Sequence, residues 1–196
     1  MTPKEILIKS LRKNNKERGL RITKPNNYLT VGHIKKADHN LIVMSDLDKF
    51  EHDDWVVITA YYAMYHSVLG LLAKIGLESK EHATTAVVLE YFFGKQLGKE
   101  LIKKFNELKQ KKDKIEDIII GEKYINYFWK VKRARETVQY GIYMTYKKTN
   151  TLVNNAREFV TKIKLVIDEL DEGMVELIGE KIKELKMESL LAKEIN

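Results

Sequence analysis

The sequence from Trp55 to Ala73 reads WVVITAYYAMYHSVLGLLA and contains no Asp, Glu, Lys or Arg. Roughly 18 or more apolar residues without charge are enough for a helix to span a membrane. However, three tyrosines and His66 interrupt the stretch, and each of their polar groups would need a hydrogen-bond partner in lipid. Helices that are apolar on all sides also occur at the centre of large protein cores. We therefore predict a central core helix and no contact with a membrane.

Helices are predicted on both sides of this segment as well. The sequence Thr2-Pro3-Lys4-Glu5 starts a first helix, because it combines a hydroxyl N-cap, proline at the first helical position and glutamate in capping-box register. No window alternates apolar and polar residues between tight turns, so no strand is predicted and the fold class is all-α. The further predicted helices cover residues 27–45, 55–75, 80–93 with Ser79 as its N-cap, 95–117, 122–139 and 150–170, and a C-terminal helix follows Gly173.

The composition excludes several classes of chemistry. The chain has no cysteine, which rules out disulfides, thiolate nucleophiles and Cys-ligated metals. The absence of cysteine also fits a reducing cytoplasm. The five histidines form no short ligand cluster, so we predict no metal and no other cofactor. The motifs of serine hydrolases, P-loop proteins and dinucleotide-binding proteins are also missing from the sequence. Lys and Arg exceed Asp and Glu by 35 to 28, and this net charge of +7 favours a polyanionic partner.

Basic and aromatic residues are concentrated at and beyond the end of the helix predicted over residues 122–139. Guanidinium groups bind phosphate as a planar fork, lysines add charge, and tyrosines offer a face on which an unpaired base can stack. The same pattern also fits cations that complement the dipole of a helix C-terminus, with tyrosines packed on a neighbouring helix. Both interpretations stay open at this point. The residues concerned are Lys130, Lys132, Arg133, Arg135, Tyr140, Tyr143, Lys147 and Lys148.

Five segments resemble the HEPN superfamily, and they are Tyr28-Leu29, Asn40-Leu41, residues 55–67, residues 76–82 and residues 135–141. The likeness is greatest to small stand-alone prokaryotic and archaeal members. It implies an up-down four-helix bundle over residues 27–170, paired with a second copy in a homodimer around a shared basic cleft. The N-terminal basic helix and linker, residues 1–26, and the acidic C-terminal helix, residues 171–196, are then additions to the bundle.

The resemblance also implies a chemistry for Arg135 and Tyr140. Active HEPN ribonucleases carry an arginine, four to six further residues and then a histidine; the arginine holds the phosphate and the histidine assists attack by the 2′-hydroxyl, without metal. Here Tyr140 occupies the histidine position after Arg135. A phenol titrates at about pH 10 and an imidazole at about 6.5, so a base contribution of roughly 10²–10⁴-fold is expected to be lost. The resemblance thus implies binding of RNA or a nucleotide, with weak or absent metal-independent ribonuclease activity.

Two alternatives stay open. In the first, the chain is a protein-interaction component, the toxin-like partner of a small nucleotidyltransferase in a toxin–antitoxin pair, and Tyr140 or Tyr143 accepts a nucleotide. In the second, the chain is an active endoribonuclease that uses Tyr140, or a histidine contributed by His66 or His82. From the sequence, His66 is better interpreted as a hydrogen-bonded core residue. For His82, an exposed position at a helix start and a functional role both stay open.

Overall fold

The computed structural model describes residues 1–12, 19–94, 98, 100–101, 118–141 and 150–194. Within these residues the regular secondary structure is helical apart from two three-residue strands, which confirms the all-α fold class. The helix predicted over residues 95–117 lies almost entirely outside the described residues. The helices are α1 (Pro3–Arg12), α2 (Asn27–Lys49), α3 (Asp53–Lys74), α4 (His82–Phe93), α5 (Glu122–Tyr140), α6 (Asn150–Glu169) and α7 (Glu172–Glu194), and the strands are β1 (Leu20–Ile22) and β2 (Leu77–Ser79).

Helix α3 is the central element of the bundle. It packs against α2, α5 and α6, and side chains from all sides of it are buried, among them Tyr61, Met64 and Leu72. Full burial of a side chain of this size contributes about 1.5–3 kcal/mol. Although α3 is long and apolar enough to cross a bilayer, most of its apolar window is covered by the rest of the protein. This confirms the prediction of a core helix.

Helices α2 and α3 approach each other closely at Gly70. A Cβ atom at this position would lie 3.2 Å from the carbonyl oxygen of Thr30 and 3.2 Å from Cδ1 of Ile34. Both distances are shorter than ordinary van der Waals contact, so the missing side chain allows the two backbones to come together. Helix α2 also continues to Lys49, through acidic residues that the sequence placed in a loop.

The strands β1 and β2 were not predicted. They pair antiparallel, with Leu20 opposite Ser79 and Ile22 opposite Leu77. Gly76 makes the turn from α3 into β2 with φ of 76°, and a Cβ there would lie 2.8 Å from the carbonyl oxygen of Thr23. Because residues 77–79 pair with β1, α4 begins at His82 and not at Lys80. The prediction of Ser79 as its N-cap is therefore wrong, and Ser79 instead accepts a hydrogen bond from Thr85 at 2.8 Å.

Helices α1 and α7 complete the same hydrophobic core. The predicted capping box of α1 is confirmed, because the backbone of Glu5 donates to the Thr2 hydroxyl at 3.3 Å and the backbone of Thr2 donates to the Glu5 carboxylate at 2.9 Å. Helix α1 packs on α4 and α7, where Leu7 and Leu11 join a core cluster that also contains Ile182 and Leu185.

Candidate functional site

Arg135 lies on the face of α5 that packs against α3. Only 7% of the residue is exposed, and its Nη2 donates a hydrogen bond of 3.1 Å to the Tyr62 hydroxyl. The guanidinium carbon is 5.5 Å from the ring centre of Tyr61 and 5.7 Å from that of Tyr62. Aromatic faces attract a cation at such distances, most strongly where water is excluded. Two consecutive tyrosines of the core helix therefore hold the arginine side chain in place.

One donor of this guanidinium is unused. The Nε of Arg135 is buried and has no hydrogen-bond partner, and among the described residues no carboxylate forms an ion pair with Arg135. An arginine stays charged at every physiological pH. A buried donor without a partner costs about 1–3 kcal/mol, and more when it belongs to a charged group. The site is therefore electrostatically suited to an anion.

His82 belongs to the same cluster. Its Nδ1 is hydrogen-bonded to the Tyr61 hydroxyl at 2.6 Å, and its ring centre is 4.4 Å from that of Tyr65. Burial lowers the pKa of His82 from its ordinary value, the positive charges of Arg135 and Lys132 lower it further, and Glu136 acts in the opposite direction. The imidazole is therefore neutral at pH 7.

The sequence offered His66 and His82 as alternative histidines for this site, but it did not show that His82 and Arg135 are neighbours. The two residues lie on helices α4 and α5, which are separate in the chain, and the interpretation of His82 as an exposed residue at a helix start misses its contacts. It does begin α4, but its side chain is partly buried. Only the packing of α4 and α5 on α3 brings the two side chains to the same tyrosines.

Tyr61 connects the two residues and stays a neutral phenol. Its side chain is fully buried. Burial raises its pKa well above the ordinary value, the neighbouring Tyr65 raises it further, and Arg135 only partly opposes these effects. Tyr61 can therefore donate or accept a hydrogen bond at neutral pH, but it is no base.

Tyr140 ends α5 and covers Arg135 from the solvent side. Its residue is 71% exposed, and its ring centre is 5.5 Å from the guanidinium carbon of Arg135. Both catalytic candidates predicted from the sequence are thus neighbours in the structure. An exposed aromatic ring beside a cation is an arrangement on which an unpaired base can stack while its phosphate contacts the arginine.

The other predicted phosphate-binding residues are distributed around α5. Lys130 and Arg133 are exposed to solvent. Arg133 is two positions before Arg135, and residues at this spacing do not face each other on a helix, so the two guanidinium groups are not brought together. The Lys132 side chain is only 12% exposed and forms an ion pair of 2.5 Å with Glu136. Tyr143, Lys147 and Lys148 lie outside the described residues.

The ring of His66 contacts a histidine of α2. Its Nδ1 is 3.2 Å from Nδ1 of His33 on α2, and the two rings stack with centres 5.4 Å apart. Burial lowers the pKa of His66 to about 4, and the neighbouring His33 and Lys36 act in the same direction. The interpretation of His66 as a hydrogen-bonded residue is confirmed. Within the described residues, no group of three or more His, Asp and Glu side chains is placed to hold a metal ion.

Comparison with known families gives one match. The family model described as HEPN domain matches residues 31–166, which is most of the chain. This span includes α3, α4 and α5 and with them all the described residues of the cluster around Arg135. No curated protein matches the chain.

Proposed function

Since this chain belongs to the HEPN family, whose domain is associated with nucleotide- and RNA-related functions, we propose that it binds RNA or a nucleotide by holding a phosphate against Arg135. The observation that carries the proposal is the Arg135 guanidinium group, which has no carboxylate partner among the described residues and lies 5.5 Å from the ring centre of the exposed Tyr140. A phosphate oxygen at this group would accept a hydrogen bond and oppose its charge. Hydrogen bonds between ionised partners are roughly twice as strong as neutral ones.

The residues around Arg135 support this assignment. The hydrogen bond to Tyr62 fixes the orientation of the guanidinium group before a ligand arrives, and such preorganisation reduces the entropy cost of binding. The exposed ring of Tyr140 supplies the stacking face for a base next to the phosphate. The ligand is therefore a mononucleotide or a single strand, because the bases of a duplex are already stacked on each other. The proposed compartment is the cytoplasm.

Weak or absent cleavage is part of the proposal. Tyr140 places a phenol at the family's histidine position, where active members carry the imidazole that assists attack by the 2′-hydroxyl. We expect labelled RNA to remain intact in the presence of chelator. Rapid cleavage under these conditions that disappears in Arg135→Ala would instead identify an active ribonuclease.

The main test compares Arg135 with Arg133, which lies on the same helix but is exposed. Affinity for a labelled single-stranded RNA is measured by fluorescence anisotropy at several salt concentrations. Arg135→Ala should weaken binding about tenfold or more, because a hydrogen bond to a charged group contributes about 1.5–3 kcal/mol and about 1.4 kcal/mol corresponds to a factor of ten. Arg133→Ala should weaken it less than about threefold.

A folding control accompanies this test. Arg135 forms no ion pair with a described residue, so we expect the melting temperature of Arg135→Ala to stay close to that of the unchanged protein. Arg135→Lys keeps the charge but not the planar fork, so its affinity for RNA should lie between those of the unchanged protein and Arg135→Ala. Unchanged RNA binding by folded Arg135→Ala would contradict the proposal.

The exposure of Tyr140 favours a second candidate function. An accessible phenol beside an arginine that can hold phosphate is suited to accept a nucleotide from another enzyme. The chain would then be the toxin-like partner of a small nucleotidyltransferase in a toxin–antitoxin pair. Incubation with that partner and ATP would increase the mass of the chain by one nucleotide, and an unchanged mass argues against this role.

A further inference from the structure

We infer that His82 is a second ligand-binding residue of the Arg135 site and that it takes up a proton when a phosphate binds, so that affinity for RNA rises as the pH falls. This inference rests on the proposed function, because it concerns the same site. It assigns a role to a residue that lies outside the arginine motif of α5.

The geometry supplies the first argument. Tyr61 joins the two residues, since its ring centre lies 5.5 Å from the Arg135 guanidinium carbon and its hydroxyl lies 2.6 Å from Nδ1 of His82. The His82 side chain is only partly buried, and its Nε2 has no hydrogen-bond partner among the described residues. With respect to the described part of the chain, Nε2 is therefore available to contact a ligand. A hydroxyl oxygen can accept as well as donate, so Tyr61 can keep its hydrogen bond when both nitrogens of His82 carry protons.

The charges around His82 supply the second argument. Helix α3 presents only phenols to the imidazole, namely Tyr61, Tyr62 and Tyr65. Helix α5 presents Arg135, Lys132 and Glu136, and among the described residues α1 and β2 add no charge that acts on it. Glu81, the preceding residue, accepts a hydrogen bond from Thr84 at 3.0 Å.

Without a ligand, this environment is positive. Lys132 and Glu136 form an ion pair and largely cancel each other, so the charge of Arg135 is uncompensated. Together with burial it keeps the pKa of His82 below its ordinary value. A bound phosphate reverses the local charge, and an opposite charge within about 4–6 Å raises a histidine pKa by about 1–3 units.

The dependence of RNA affinity on pH follows from this difference in the pKa of His82 between the free protein and the complex. A group whose pKa is higher in the complex than in the free protein takes up a proton on binding, and lower pH then favours the complex. The effect is confined to the interval between the two pKa values of His82. Within that interval, affinity changes by up to about tenfold per pH unit.

The experiment uses the full chain and a labelled single-stranded oligouridine RNA, whose phosphodiesters and bases do not change charge over the range studied. The dissociation constant is measured at constant ionic strength from about pH 5.5 to about pH 8. We expect the unchanged protein to bind about tenfold more tightly at the acidic end. Calorimetry in two buffers of different ionisation enthalpy should show net proton uptake.

His82→Gln is the informative variant, because glutamine can hydrogen-bond to Tyr61 but does not titrate. It should lose both the pH dependence of RNA affinity and the proton uptake, so that its dissociation constant no longer changes across the pH range. His33→Gln is the matched control, since it removes another histidine with a lowered pKa whose hydrogen-bond partner is His66 and not Tyr61, and it should keep both the pH dependence and the proton uptake.

The outcomes separate the inference from the proposed function. If the unchanged protein binds RNA through Arg135 with no pH dependence, or if His82→Gln keeps the full dependence, the inference is overturned and the proposed function stands. If no RNA binding is found at any pH, the proposed function fails and the inference fails with it.

Discussion

The burial of Arg135 costs free energy, and its side chain forms the proposed binding site. Moving a guanidinium out of water costs several kcal/mol even after relaxation. The hydrogen bond to Tyr62 and the rings of Tyr61 and Tyr140 offset part of this cost, but they leave Nε without a partner. A side chain that only stabilised the fold would be expected to have all its donors satisfied. The unpaired donor at this residue supports the binding role that we propose.

Tyr140 is the residue whose variants separate the two candidate functions. Tyr140→Phe keeps the ring and should bind single-stranded RNA within about twofold of the unchanged protein, whereas Tyr140→Ala should lose about 1–3 kcal/mol of stacking. Nucleotide transfer requires the hydroxyl, so Tyr140→Phe should abolish the mass increase with nucleotidyltransferase and ATP. Anisotropy and mass spectrometry check the two effects, and equal RNA-binding defects in both variants would contradict the stacking role.

At the level of elements, the crossing of α2 and α3 determines where the tyrosines of α3 lie. Gly70 permits this crossing, because a side chain there would press on Thr30 and Ile34 of α2. Gly32 is also inside a helix, but a Cβ atom at that position would meet nothing within 4 Å. The two glycines therefore differ in packing and not in secondary structure, which makes them a matched pair.

We expect opposite effects from substitutions at these glycines. Gly70→Val overpacks the contact between α2 and α3 and should lower the free energy of unfolding by about 1–3 kcal/mol. Gly32→Ala removes backbone freedom from an exposed helix position and should raise it by about 0.5–1 kcal/mol. Urea denaturation measures both. A Gly70→Val variant as stable as the unchanged protein would show that the helices are not in such close contact.

On the scale of the whole molecule, the terminal helices are integral to the core. The sequence separates residues 1–26 and 171–196 from a bundle over residues 27–170. In the structure, Leu7 and Leu11 of α1 and Ile182 and Leu185 of α7 belong to the same hydrophobic cluster as α3. Helix α7 therefore covers apolar surface that water would otherwise reach.

Removal of α7 should consequently unfold the protein. A chain ending at Leu170 loses the burial of several large apolar side chains, each worth about 1.5–3 kcal/mol, and natural domains are stable by only about 5–15 kcal/mol in total. We expect residues 1–170 to show no cooperative thermal transition by circular dichroism. A chain ending at Leu191, which keeps all the residues of α7 that the structure describes as buried, is the control. A 1–170 fragment that melts cooperatively near the temperature of the full chain would contradict this expectation.

Local features were predictable because they depend on neighbours in sequence. The capping box of α1 involves residues three positions apart, and the apolar character of Trp55–Ala73 identifies the core helix without further information. The helices predicted over residues 122–139 and 150–170 agree with α5 and α6 to within one residue. The motif around Arg135 and Tyr140 was also visible, because both lie on one short segment.

The sequence by itself thus determined the helical class and the central helix, since these follow from helical periodicity and capping, and its resemblance to the HEPN superfamily pointed to Arg135 and Tyr140. The tertiary structure decided the β1–β2 pairing, the start of α4 at His82, and the junction of His82 and Arg135 through Tyr61. The physical reason is that these contacts join residues distant in the chain. They contribute to the free energy of folding only once the helices pack around α3.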